Sequence, residues 1–233
     1  FRAPCRHKVE LPEGHVLPVF TVDIGVILDF LGRHLHGERF AKGGSLFSGK
    51  LGQRLFAEKI TLELNRDPLE MASPFFDAEG VVLPGDRLAL IENGRLARVL
   101  TDKKTAQSFG LEHTGAALGE YDDPPTIDGS QARHLFFRPD SQNVAAALQG
   151  RPATFALICS GGDFTADGSF ATPVQISFLF DGERLVGKLP EFAMRSNLFK
   201  MLGEDYIGTF ADSPLYFGEI TWPLQGYYMT IVR

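Results

Sequence analysis

From Ile24 to Leu35, apolar residues return at three- and four-residue steps (Ile24, Ile27, Leu28, Leu31, Leu35), the spacing of one helix face. The pattern predicts an amphipathic helix over residues 22–40, with Asp23 placed to cap its start. Just before it, VLPVF (16–20) reads as a strand, at a sheet edge or irregular, because Pro18 has no N–H for a ladder. After the glycine-rich run AKGGSLFSGKLGQRLF, the segment EKITLELN alternates as a strand does and runs to a turn at Asp67 and Pro68.

The sharpest local signal is DRLALIENGRLARVL. Asn93 and Gly94 separate two alternating segments, and both central residues of such a tight hairpin turn need positive φ. A second hairpin is expected in QISFLFDGERLVGKL, turning at Asp181 and Gly182. A short helix should follow each, over 105–109 and 196–202, and the spacing of about 90 residues between the two units suggests an internal duplication; similar-looking hairpins also arise by chance. EYDDPPTIDGSQ reads as a surface loop, 142–150 as a helix, and TFALICSGGDFTADG as a buried strand entering a polar turn. The closing YFGEITWPLQGYYMTIV should supply one or two strands. The fold class expected is α+β, with mainly antiparallel sheets in two related hairpin-plus-helix halves and few short helices.

Composition narrows the function. The 233 residues carry a net charge of −6, with no Lys/Arg cluster longer than two, which argues against a nucleic-acid partner. No apolar run approaches the roughly 20 residues of a membrane span, and residues 1–11 have no apolar core of a signal peptide. A cytoplasmic location is expected. The first residue is Phe rather than Met, as in a fragment of a longer product. Cys5 and Cys159 lie far apart in unrelated contexts, which suits reduced thiols rather than a disulfide framework. No Cys-x-x-Cys is present, so a zinc knuckle is excluded.

The stretch FFDAEGVVLPGDRLALIENGRLARVLTDKKTAQSFGLEHTG resembles a block of the TldD/PmbA family, at Asp77, Glu79, Gly80, Glu92, Asn93, Gly94, Ala106, Gly110, Leu111, Thr114 and Gly115. GGDFTADGSF is similar to the family's TGDFS segment at Gly162, Asp163, Phe164 and Thr165, and SNLFKML to a helix carrying Asn197, Leu198 and Met201. VELPEGHVLPVF and SLFSGKLGQRLF match in order and spacing. The resemblance covers the chain from about Leu11 onward. It implies that residues 1–233 form the family's C-terminal domain, without its N-terminal α/β domain. It also implies an intracellular metallopeptidase of two related subunits, one catalytic and one metal-less, which trims unfolded or leader peptides and was first named a modulator of DNA gyrase.

The family's catalytic subunits carry His-Glu-x-x-x-His on the helix at 22–40, with a distant cysteine completing the zinc site. Two neutral imidazoles hold the metal and the glutamate takes a proton from bound water. Aligned on Gly25 and the later FSG, this chain reads DFLGRH: Asp29 stands for the first histidine, Phe30 for the base, and His34 alone remains. Positions five apart on a regular helix diverge by about 140°. No cysteine lies in the last 70 residues, and Cys159, set in an apolar strand, reads as a small buried hydrophobe. Neither a catalytic residue nor a metal or other cofactor is therefore expected.

Other candidates are weaker. His34 and His36 point about 200° apart on a helix, and His34 with Glu38 makes an i,i+4 pair but not a catalytic zinc site; solvated histidines on an exposed face are the simpler reading. Ser45 and Ser48 lack a nucleophile elbow, and KGGSLFSGK lacks the spacing of a phosphate-binding loop. Asp77 and Glu79, two apart in an extended segment, share a face as a possible acid pair, or simply form a turn before the hairpin. His113 and His134 have no acidic or cysteine partner at ligand spacing and read as surface residues. The leading expectation is a non-catalytic subunit that works with a catalytic TldD-like partner, or by self-association, on peptides. The alternatives are an active metallopeptidase using Asp29 and His34, or a stand-alone peptide-binding protein.

Overall fold

A computed structural model of the protein describes residues 16–71, 73–119, 122–127, 134–140, 142–212 and 223–232. In chain order the elements begin with β1 (Val16–Thr21), α1 (Gly25–Leu35), α2 (Gly37–Ala41), β2 (Leu62–Asn65), α3 (Pro68–Met71), β3 (Arg87–Glu92), β4 (Arg95–Leu96) and α4 (Lys103–Phe109). They continue with β5 (Leu135–Phe137), α5 (Val144–Leu148), β6 (Ala153–Ile158), β7 (Asp163–Phe164), β8 (Ser169–Val174), β9 (Ile176–Phe180) and β10 (Leu185–Lys188). β11 (Phe192–Asn197), α6 (Leu198–Met201), β12 (Tyr206–Phe210) and β13 (Leu224–Val232) complete the described chain. The fold is α+β, and among the described residues every strand pairing except β1 with β6 is antiparallel. Two units are present: Phe1–Val26 with Pro139–Arg233, and Ile27–Arg138.

The first unit holds a sheet ordered β10-β9-β6-β1-β13-β11-β8-β7, with β12 also on β13. β13 is long enough to pair with β1 along one side, and with β12 at its start and β11 at its end on the other. Strand alternation sends Phe20, Phe155, Phe180, Phe210 and Leu224 into one core, where Val144 and Leu148 of α5 pack against them. The intervening Thr21, Thr154, Ser177, Thr209 and Gln225 are buried as well, with part of their polar surface paired inside the unit. Thr209 Oγ1, for example, donates to Gln225 Oε1 at 2.9 Å. β1 is not an edge strand, as its proline suggested. It is paired on both sides, but the β6 ladder begins only at Val19, so Pro18 lies outside that ladder.

In the second unit a sheet ordered β4-β3-β2-β5 places β2, wholly buried, between two neighbours. Its Glu63 is 2% exposed and is held by Arg138 and by Arg87, the latter at 3.5 Å. The hairpin turn has the expected geometry, with φ 48° at Asn93 and 75° at Gly94. A side chain at Gly94 would meet the Phe56 carbonyl at 2.3 Å. Asp102 caps α4 by accepting from Thr105 N, and Gly110 ends it in the left-handed region.

The helix expected over 22–40 is two helices. His36 is extended, with φ −61° and ψ 118°, because the backbone there pairs with Leu100: Gly37 N donates to Leu100 O and Leu100 N to Leu35 O, both at 2.8 Å. A Cβ at position 37 would lie 2.7 Å from that carbonyl, so the close approach requires glycine. Nor does Asp23 cap α1; its carboxylate accepts the Cys159 N–H at 3.2 Å.

One hairpin-plus-helix segment falls in each unit. In that of the first unit, residues 181–184 make a longer connection than the expected two-residue turn, and β11 intervenes before α6. The acidic loop is only partly described; within it Ile127 is 5% exposed, hence core rather than surface. Of the closing segment, β13 is one strand, and residues 213–222 lie outside the described residues, as does Cys5. No helix among the described residues is long and apolar enough to cross a membrane.

Candidate functional site

The helix α1 separates the three positions at which the resemblance places metal chemistry. Asp29 is exposed, whereas Phe30 and His34 are each 3% exposed, as the angular divergence of positions five apart requires. The Phe30 ring lies 4.5 Å from the His34 ring, and the Phe47 ring 5.8 Å from it. His34 Nδ1 accepts the Leu46 N–H at 3.0 Å, which leaves the ring proton on Nε2. His34 is thus not a solvated surface histidine but a core residue that ties α1 to the following loop. These residues do not fit a zinc site: one ligand faces solvent, the base position is a packed ring, and the surviving imidazole already uses a nitrogen.

Burial, followed by the Arg39 and Arg33 charges, lowers the His34 pKa to about 4. An unfolded histidine titrates near ~6.5, so on acidification the unfolded chain takes up this proton first. Stability should therefore fall as the pH drops from ~6.5 to about 4, by roughly 3 kcal/mol in all. Urea denaturation across that window measures it. His34→Gln keeps an acceptor for Leu46 but does not titrate, and should remove this part of the slope; an unchanged slope would assign the effect to other groups.

The neighbouring candidates are also structural. Glu38 does not pair with His34; it is exposed and bonded to Lys42 at 2.5 Å. Ser45 Oγ donates to His34 O at 2.5 Å and accepts from Phe47 N, while Ser48 Oγ donates to Phe40 O at 2.8 Å. Both hydroxyls therefore fasten the glycine-rich loop. His36, off the helix, is half-buried. His134 is 4% exposed and so is not a surface residue.

Sequence reasoning missed one cluster. Asp77, Glu79 and His113 bring possible ligand atoms within 4.8 Å of one another. Asp77 and Glu79 do not lie in an extended strand; they open a turn in which Asp77 Oδ1 accepts from Glu79 N at 2.9 Å and Val81 N at 2.8 Å. Asp77 Oδ2 accepts from Ala117 N at 3.1 Å. His113 has an acidic partner after all, its Nε2 lying 3.2 Å from Glu79 Oε2. Glu79 Oε2 also accepts from Lys103 N at 2.9 Å, and the Lys103 ammonium donates to Glu79 O at 3.1 Å. A carboxylate bonded to three amides, with an ammonium beside the cluster, suits a latch between loops better than a cation site. The available signal was proximity in sequence: Asp-x-Glu-Gly and Glu-His-Thr-Gly bracket one hairpin.

Cys159 lies one residue past β6, not in mid-strand, and is partly buried. Burial first, then the Asp23 carboxylate, push its thiol up to about 12, against a Thr21 hydrogen bond that lowers it. At neutral pH it is therefore a neutral thiol.

Residues 21–223 match the PmbA/TldA metallopeptidase C-terminal domain. The chain is 32% identical over 178 residues to a metalloprotease of Methanothermobacter thermautotrophicus, covering 76% of this chain and 38% of that protein. It is 33% identical over 93 residues to a metalloprotease TldD homolog of Buchnera aphidicola, covering 39% of this chain and 19% of that protein. Its fold is similar to that of TldE from Thermococcus kodakarensis, with TM-score 0.77 and 21% identity, over 98% of this chain and 52% of that one. The chain thus spans well under half the length of these curated relatives and about half that of the solved structure.

Proposed function

Since this chain belongs to the PmbA/TldD metallopeptidase family, we propose that it is the non-catalytic side of a TldD/TldE-type peptidase. On this reading it supports the cleavage of unfolded or leader peptides by a catalytic partner in the cytoplasm, and binds no zinc itself. One observation carries the reading: where water activation needs a carboxylate, the apolar ring of Phe30 packs into the core against His34. A phenyl group can neither accept a proton nor coordinate a metal. Asp29 and His34, on different sides of α1, do not supply a substitute.

The test is co-expression with a family member bearing His-Glu-x-x-x-His. The two should co-purify in stoichiometric amounts, and peptide cleavage should require that partner. Elemental analysis of this chain alone should find no stoichiometric zinc. Zinc at one equivalent, or cleavage by this chain alone, would overturn the assignment.

A further inference from the structure

Where α1 breaks into α2, the second unit carries a groove of about 400 Å³, large enough for the end of a peptide. Arg33, Arg39 and Lys42 bring three cations to it, beside the buried Gly32 and Ile127. Its one carboxylate, Glu38, is taken by the Lys42 ammonium at 2.5 Å. The chain as a whole is acidic, at −6, so this concentration of positive charge is local.

Arg39 is the cation best placed to bind a ligand. Its Nε donates to Gly44 O at 2.7 Å, which holds the side chain, while its two terminal nitrogens make no hydrogen bond to any described residue. A guanidinium held by one bond with two parallel donors free matches the two oxygens of a carboxylate. His36, also lining the groove, leaves its Nδ1 buried and unpartnered.

We infer that this groove binds a peptide carboxylate through the terminal nitrogens of Arg39. The inference rests on the peptide substrate of the preceding reading, but requires neither cleavage nor a partner. The carboxylate is the C-terminus of the peptide or an Asp or Glu side chain, and the ligands below separate these sources.

The experiment is fluorescence anisotropy on the full chain alone at low and moderate salt. Three labelled peptides are compared: a short apolar peptide with a free C-terminal carboxylate, its C-terminally amidated form, and an amidated form with one internal glutamate. The free acid should bind about ten- to a hundredfold more tightly than the neutral amide, the worth of a charge-assisted pair, and salt should reduce the difference. A glutamate peptide that equals the free acid identifies an acidic side chain as the source and upholds the carboxylate site; one that equals the neutral amide identifies the C-terminus. Arg39→Gln should abolish the preference and Arg39→Lys should keep part of it, with circular dichroism confirming that both variants are folded. Equal binding of acid and neutral amide, no binding by any peptide, a preference that survives Arg39→Gln, or displacement by inorganic phosphate as effective as by the free acid would each overturn it. Because the chain is measured alone, any of these outcomes leaves the co-purification test untouched.

Discussion

Phe30→Glu, which restores the family's base at its aligned position, is expected to yield no peptidase and to destabilise the protein by about 4–5 kcal/mol. Truncating a packed phenyl ring costs about 3–5 kcal/mol, and Phe30, at 3% exposure, is packed. A carboxyl at that depth adds the cost of desolvating a charge, or that of staying protonated. Arg33 stands close, its guanidinium carbon 5.4 Å from the Phe30 ring centre, and can follow the new carboxylate. Arg33 is exposed, however, and an exposed ion pair contributes only about 0–1 kcal/mol, too little to offset a lost ring.

The penalty should also carry a pH signature. Burial raises the folded-state pKa of the introduced carboxyl above its unfolded value of about 4.3. The charge penalty is then absent below ~4.3, grows as the pH rises through that value, and levels off above the folded pKa. Phe30→Gln supplies a control without titration. Urea denaturation from acid to neutral pH separates the two variants. If Phe30→Glu is as stable as the parent at neutral pH, or gains zinc-dependent cleavage, α1 retains a working site geometry and the non-catalytic reading is wrong.

The sequence revealed what depends on near neighbours and hid what depends on distant ones. Asn93 and Gly94 could be read because a tight hairpin turn demands positive φ from two adjacent residues, and the structure has it. The same holds for α4 and α5, whose caps lie within three residues. The break at His36 could not be read. The apolar period runs on through Leu35, and the interruption comes from Leu100, more than sixty residues later. His34 belongs to the same class. Its position on α1 was legible, but its burial is set by Phe30, Phe47 and the Leu46 amide. Phe30, apolar where the resemblance places a base, could be read from the sequence, whereas the Asp77–Glu79–His113 cluster needed the chain to fold the Ala117 segment back onto the turn. Several motif residues that carried the family resemblance prove to be turns and caps, Asp77, Gly94 and Asn197 among them. Those positions therefore have a structural use whether or not the chain is catalytic.

Asp77→Ala should be the other costly substitution, at about 4 kcal/mol or more, though no catalytic role is assigned to Asp77. Its carboxylate, 2% exposed, accepts the amides of Glu79, Val81 and Ala117. Removal orphans three N–H groups, each costing about 1–3 kcal/mol where water cannot replace the acceptor. A second term has the same sign. Arg66 is 2% exposed, with one terminal nitrogen on Phe76 O at 3.3 Å and two nitrogens unpartnered. Burial pushes its guanidinium below the ordinary value while the Asp77 charge opposes that shift, so deleting Asp77 removes a countercharge from a buried cation. Asp77→Asn keeps one carbonyl oxygen for the turn and should cost about half as much. Hydrogen exchange locates the damage: protection at Val81 and Ala117 should collapse in Asp77→Ala while the amides of β13 exchange as before. A metal-binding cluster would behave differently, since zinc would then raise the melting temperature of the parent and not of Asp77→Ala. A latch predicts no zinc effect on either protein, and a zinc-dependent rise in the parent would make Asp77, Glu79 and His113 ligands.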